Sequence, residues 1–150
     1  MGQERINKFT KTLLDVMFYS GVLILVTLPV SLKFAGRHYS RDIGSHYAAM
    51  LVIFAVAGVC GLLIVAELRR MMETVIAGAC FVDGNVKSLK KMAAASLVVS
   101  VMFIAKMFFA PTPATAVVIL TFFIAALFSQ VLAKVFAEAI RFKEENDLTI

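Results

Sequence analysis

The sequence predicts an all-α polytopic membrane protein in which four transmembrane helices form an antiparallel bundle with short cytoplasmic helical extensions. Hydrophobic residues make up 61% of the 150 positions and charged residues only 17%, whereas roughly a quarter of the residues are charged in soluble domains. The apolar residues form four blocks of about 20 residues, the length that a helix needs to cross a hydrocarbon core roughly 30 Å thick. We therefore expect a single membrane domain over residues 1–150.

The first block covers residues 12–32 and follows a polar, basic segment. A cleaved signal peptide would have a shorter apolar region of about 7–15 residues and a small-residue cleavage site, which the chain after Leu32 does not offer. Asp15 lies one turn inside Lys11, so a hydrated or Lys11-paired carboxylate is favoured over a proton or ion site. Pro29 is expected to bend the far end of this span.

The second block covers residues 47–66, and a polar outer loop precedes it. Within that loop, His38, Asp42 and His46 could bind a metal or sense external pH, since imidazole titrates near neutrality. Their spacing matches no ligand pattern, so a solvated loop is favoured. We predict no metal and no cofactor.

The third and fourth blocks cover residues 92–110 and 114–133, separated by the turn Pro111-Thr112-Pro113. Proline cannot continue a helix at this point, because it lacks a backbone donor and restricts the preceding residue. Lys106 lies near the end of the third block, where its amine can extend to the interface while its methylene stem stays in lipid.

Helical periodicity continues beyond the second and fourth blocks. Apolar and charged residues alternate at a spacing near 3.6 over residues 68–76 of the inner loop (residues 67–91) and over residues 134–143 of the tail (residues 134–150), which predicts amphipathic helical extensions. Asp83-Gly84-Asn85 is a turn motif, and Asn85 is expected to cap the following helix through its side-chain oxygen.

The distribution of basic residues predicts that both termini are cytoplasmic, because Lys and Arg accumulate on the inner side of a membrane. With the N terminus inside, eleven of the 15 basic residues lie in inner segments. The four on the outer side are Lys33, Arg37, Arg41 and Lys106. The predicted location is therefore the cell membrane, with a multi-pass topology.

Small residues that recur every fourth position predict close helix packing, which holds helices together in lipid, where apolar burial contributes little. The fourth span carries one stripe and the second span a shorter one. We expect these stripes to face partner helices within the bundle, with self-association into a homo-oligomer as the alternative. Gln130 is expected to hydrogen-bond between helices. The predicted packing residues are Ala57, Gly61, Ala125, Ser129, Ala133 and Ala137.

Composition and motifs argue against an enzyme and against a direct nucleic-acid partner. The sequence shows no Ser/His/Asp set, no phosphate-binding glycine loop and no HExxH. The formal charge of +5 comes from residues at the ends of apolar blocks, where they set topology and contact anionic lipid head groups. Cys60 and Cys80 are not expected to form a disulfide.

Two segments resemble a known group of proteins. Residues 80–93 read Cys-Phe-Val-Asp-Gly-Asn-Val-Lys-Ser-Leu-Lys-Lys-Met-Ala, and residues 136–150 close the chain with Phe-Ala-Glu-Ala-Ile-Arg-Phe-Lys-Glu-Glu-Asn-Asp-Leu-Thr-Ile. With these motifs the chain resembles the bacterial four-span membrane proteins catalogued as domain of unknown function 2975, although proline is usual where this chain has Cys80. The resemblance implies no established activity. Members are often encoded beside a small helix-turn-helix regulator of the Cro/C1 type, which implies a membrane partner of a transcription regulator.

The leading functional hypothesis is a non-enzymatic regulator or scaffold whose cytoplasmic face docks a soluble partner, with membrane lipid around its spans. On that face the basic inner loop and the acidic tail are expected to pair. The alternatives are a small transporter or channel subunit acting as an oligomer, and a lipid- or stress-responsive structural protein. The candidate docking residues are Arg69, Arg70, Phe81, Asn85, Lys87, Lys90, Lys91, Glu144, Glu145 and Asp147.

Overall fold

The computed structural model describes residues 2–38 and 45–149, and within them the chain is helical, without strands. The four helices are α1 (Gly2–His38), α2 (Tyr47–Ile76), α3 (Asp83–Phe109) and α4 (Pro113–Leu148). Each is long and apolar enough to cross a membrane. The all-α fold with four candidate membrane spans is therefore confirmed.

The helices extend beyond the apolar blocks. Helices α2 and α4 continue as far as Ile76 and Leu148, as the amphipathic periodicity predicted. Helix α1 runs through Pro29 to His38, so part of the predicted outer loop is helical. Helix α3 begins at Asp83, about two turns before the predicted span, because a helix outside lipid accommodates charged residues readily.

The connections between helices use residues suited to them. Helix α2 ends in a turn in which Gly78 has φ +74°, a conformation that glycine adopts without steric cost. Thr112 caps α4 by accepting a hydrogen bond from the Thr115 backbone N–H at 3.3 Å. Pro113 is the first residue of α4, where the missing backbone donor would have no intrahelical partner.

The main contacts join helices that are consecutive in the chain: α1 with α2, α2 with α3, and α3 with α4. In the most apolar 18-residue stretch of each helix, 33% of the residues are buried in α3 and none in α1. Helix α3 is therefore the most buried of the four, and α1 has most of its apolar surface free to contact lipid.

Three apolar clusters follow the length of this arrangement. Leu32 of α1 meets Met50 of α2 and Ala110 at the end of α3. Cys60, Ala95 and Val99 pack in the middle, and Val86, Leu89 and Ala133 pack near the C-terminal part of α4. From the first cluster to the third, residue numbers rise along α2 and fall along α3. These adjacent helices are therefore antiparallel.

On α4, the small-residue stripe is only partly inside the bundle. Ser129 and Ala133 are buried, and Ala125 is half-buried. Ala137 is exposed, which corrects the prediction that the stripe continues to this position. The reason is that Phe136 and Ile140 face α3 at this level and pack against Val86 and Leu89, so Ala137 lies on the other face of α4.

On α2, Ala57 packs against the middle cluster, whereas a Cβ atom added to Gly61 would have no neighbouring atom within 4 Å. The close approach of α1 and α2 instead uses Gly21 and Gly58. A Cβ atom on Gly21 would lie 2.8 Å from Leu62 Cδ2, and one on Gly58 would lie 2.7 Å from Leu25 Cδ1. Each helix thus inserts a leucine over a glycine of the other.

Candidate functional site at the charged end of the bundle

One end of the bundle combines the N-terminal parts of α1 and α3 with the C-terminal parts of α2 and α4. We call it the charged end, because the side chains of Asp15, Glu67, Arg69 and Lys91 meet there in pairs between helices. Both ion pairs that join different helices in the described residues lie at this end, so it is the candidate functional site.

Glu67 on α2 is the central residue, with only 6% of its surface exposed. Ser88 on α3 donates a hydrogen bond to Glu67 Oε2 at 2.7 Å. Lys91 Nζ lies 3.2 Å and Arg70 Nη1 3.3 Å from Glu67 Oε1. A hydroxyl donor and two cations favour the ionised carboxylate and offset the cost of burying it. Glu67 therefore fixes α3 against α2.

Asp15 pairs with a residue of the neighbouring helix. Its Oδ1 lies 2.6 Å from Arg69 Nε, and the Arg69 guanidinium also lies 5.0 Å from the centre of the Phe18 ring. Asp15 Oδ1 has no well-aligned hydrogen-bond donor among the described residues, so the contact is mainly ionic. The expected pairing with Lys11 is corrected, because α2 runs antiparallel to α1 and brings Arg69 to this depth.

Asn85 holds the turn between α2 and α3. It is 2% exposed, and its Nδ2 donates hydrogen bonds of 2.7 Å to Thr74 Oγ1 and to the Cys80 carbonyl. The prediction that Asn85 caps α3 is wrong, because α3 begins two residues earlier and Val82 precedes it without a side-chain cap. The amide instead joins the end of α2 to the turn.

The expected pairing of the basic inner loop with the acidic tail does not form within the described residues. Arg69, Arg70 and Lys91 contact acidic residues of α1 and α2, and Lys87 and Lys90 are exposed. In the tail, Arg141 Nε lies 3.7 Å from Glu145 Oε1, one helical turn away. The tail is helical, and its acidic residues Glu144 and Asp147 lie beside residues 81–83 rather than beside the basic residues of the inner loop. The predicted pairing of loop and tail is therefore corrected.

The two segments that carry the family resemblance meet at the charged end. The ring of Phe81 lies 5.2 Å from the ring of Phe136, in an edge-on arrangement. Beside this contact is a cavity of about 390 Å³ whose lining includes Asp83, Glu144 and Asp147. Of the candidate docking residues, the structure therefore brings Phe81, Glu144 and Asp147 together, away from the basic residues.

The other polar residues of the spans lie far from one another. Lys106 is at the opposite end, where its Nζ donates to Thr115 Oγ1 at 2.7 Å. Gln130 is exposed and makes no hydrogen bond within the described part of the chain, which corrects its expected role between helices. A transport path would require polar residues along one face, and Asp15, Lys106 and Gln130 do not share one.

The candidate histidine site is described only in part, because Asp42 lies outside the described residues. His38 Nδ1 is 3.1 Å from the Phe34 carbonyl, and its ring stacks on Phe34. His46 lies beside Phe109, with 5.4 Å between ring centres. Across residues 2–38 and 45–149, no three His, Cys, Asp or Glu side chains group as metal ligands.

Sequence reasoning missed Glu67 and the serines of α3. Glu67 shares a helical face with Cys60, Ile64 and Met71, all of which turn inward. This spacing of three and four residues was the available indication that the carboxylate is buried. Ser96 and Ser100, four residues apart, are likewise buried, and Ser100 donates a hydrogen bond to the Ile119 carbonyl at 3.2 Å.

Four helices that can each cross a membrane define a multi-pass membrane protein. The family model described as "Protein of unknown function (DUF2975)" matches residues 19–150. The chain therefore belongs to this family, and the resemblance seen in its motifs is confirmed. Neither a curated protein nor a solved structure matches the chain significantly.

Proposed function

We propose that this protein is a non-enzymatic membrane scaffold or regulator that docks a soluble cytoplasmic partner at its charged end. The proposed orientation follows the distribution of basic residues, which favours this end inside the cell. The docking surface consists of Phe81, Asp83, Glu144 and Asp147, around the cavity between the start of α3 and the end of α4.

The observation that carries this proposal is the combination of acidic and aromatic groups around the cavity. Three carboxylates line it against one cation, Lys143, and 48% of Phe81 is exposed beside them. Aromatic anchors and complementary charge are typical of protein interfaces. A partner with a basic surface and an apolar side chain fits this site.

The helical tail adds an accessible edge to the surface. Residues 141–149 are all exposed, including Phe142 at 60% and Leu148 at 87%. A small helix-turn-helix regulator has the required basic surface, because it binds the phosphate backbone of DNA. The family resemblance points to the same class of partner.

Charge reversal tests the docking surface. In native membranes, the double variant Glu144→Lys/Asp147→Lys should recover at least about tenfold less of a helix-turn-helix partner than the unchanged chain, since like charges across an interface cost several kcal/mol. Deletion of residues 144–150 should have the same effect. Recovery is measured by mass spectrometry after crosslinking through a photoreactive phenylalanine at position 81.

Glu138→Lys is the matched control, because Glu138 is an exposed acid of the same helix outside the cavity. It should retain the partner at the level of the unchanged chain. Equal recovery of the same proteins by all four chains would contradict a docking role for this surface.

A further inference from the structure

A groove between α2 and α3 joins an apolar body to a charged mouth. It has a volume of about 320 Å³, and its apolar walls include Leu63, Ala94 and Val98. Glu67 and Lys91 lie at its other end. The groove follows the helix axes for about 10 Å, from position 91 to position 98 at roughly 1.5 Å per residue.

The mouth of the groove is positively charged. Lys91 and Arg70 both bind Glu67, yet their side chains remain 62% and 68% exposed. An ammonium has three donors, and Lys91 uses one of them on Glu67. Lys87 lies one turn before Lys91 on the same face and is exposed. Arg70 and Lys87 do not line the groove but flank its Lys91–Glu67 end, so three cations stand there against the carboxylate of Glu67.

The apolar body opens toward the surroundings of the bundle. Leu63 is 52% exposed and Val98 is 42% exposed, and the small side chain of Ala94 leaves width between them. In a membrane these surfaces meet acyl chains, and the mouth lies where apolar residues give way to charged ones. A ligand with one negative group and a hydrocarbon chain matches both parts.

We propose that this groove binds one anionic phospholipid, with its phosphate at Lys91, Arg70 and Lys87 and one acyl chain between Leu63 and Val98. Buried Glu67 positions Lys91 and Arg70 for the phosphate. Basic residues at a membrane surface attract anionic lipid, and the groove adds a fixed place for the chain. The site is separate from the docking surface and does not depend on it.

The chain has no tryptophan, so a single introduced one reports on nearby lipid. Val59→Trp places the probe four residues from Leu63 on the same face of α2, outside the groove lining. The protein is reconstituted in phosphatidylcholine vesicles with a small fraction of phosphatidylglycerol or phosphatidylcholine carrying brominated acyl chains. Brominated phosphatidylglycerol should be enriched at the probe at least about fivefold over brominated phosphatidylcholine, the effect of roughly one cation near a membrane surface.

Three comparisons test the site. Lys87→Gln should lower the enrichment up to about fivefold, and because Lys87 has no ion pair among the described residues, the variant should still fold. Lys134→Gln, an exposed lysine of α4, should leave it unchanged. Phe128→Trp, on the exposed surface of α4, should report equal quenching by both lipids.

Competition by glycerol phosphate tests whether the groove binds the whole lipid or only its head group. Added at millimolar concentration, it should not reduce quenching at Val59→Trp, because it lacks the acyl chain that occupies the groove. Displacement by glycerol phosphate would overturn the lipid site. Equal quenching of Val59→Trp by the two lipids, or an enrichment that Lys87→Gln leaves intact, would overturn it as well.

Discussion

Replacing Lys91 with methionine should lower the free energy of unfolding by about 2 kcal/mol. Glu67 would keep its burial and lose its interhelical cation, and leaving a buried charge without its partner costs roughly 3–5 kcal/mol when no other group compensates. Arg70 remains beside Glu67 and Lys91 is largely exposed, so a smaller loss is expected. Unfolding by sodium dodecyl sulfate in mixed micelles, followed by circular dichroism, measures it.

Lys87→Met is the matched control, because Lys87 is an exposed lysine one turn earlier, without an ion pair among the described residues. It should change stability by less than about 0.5 kcal/mol. Adding Glu67→Gln to Lys91→Met should restore part of the loss, since neighbouring residues couple. Equal losses from both lysine variants, or no coupling, would show that Glu67 does not hold α2 and α3 together.

Replacing Asn85 with alanine should have a second large effect, about 2 kcal/mol. The variant loses two hydrogen bonds, to Thr74 Oγ1 and to the Cys80 carbonyl, and each is worth roughly 1 kcal/mol in a folded protein. Asn85→Asp should be at least as damaging, because a carboxylate would face the Cys80 carbonyl oxygen, which only accepts, and the Thr74 hydroxyl, which already donates to the Met71 carbonyl. The same unfolding assay applies.

Asn146→Ala serves as the control for Asn85, because Asn146 is an exposed asparagine near the end of α4. It should leave stability within about 0.5 kcal/mol. A near-neutral Asn85→Ala would mean that the turn between α2 and α3 is held by other contacts, such as the packing of Val86 and Leu89.

The spans were predictable because lipid imposes one requirement on them, an apolar block of sufficient length. The extensions of α2 and α4 were predictable for a similar reason, since their charged and apolar residues keep helical periodicity. The start of α3 at Asp83 was predictable to within a few residues from the expected cap at Asn85, but not from the apolar block, which begins at Met92. Lys87, Lys90 and Lys91 interrupt the apolar pattern there, and hydropathy does not distinguish a charged helix from a loop.

The partners of individual residues were harder to predict, because they depend on how each helix is rotated and at what depth it crosses its neighbour. Asp15 illustrates this: its nearest cation in sequence is Lys11, yet the antiparallel α2 supplies Arg69. The glycines illustrate it again. The four-residue spacing from Ala57 predicted close helix packing at Gly61, but α1 and α2 approach each other closely at Gly58. Periodicity alone could have identified that Glu67 lies on the inward face of α2.

The central claim is that the chain crosses the membrane four times, with the proposed orientation that places the charged end inside, and labelling of single cysteines in intact cells tests it most directly. With Cys60 and Cys80 replaced by serine, a membrane-impermeant maleimide should label His38→Cys and Ala114→Cys in intact cells. Gln3→Cys, Gly84→Cys and Thr149→Cys should react only after the membrane is permeabilised. Labelling of all five positions alike, or labelling of position 84 in intact cells together with positions 38 and 114, would contradict four crossings, and the reverse pattern would contradict the orientation.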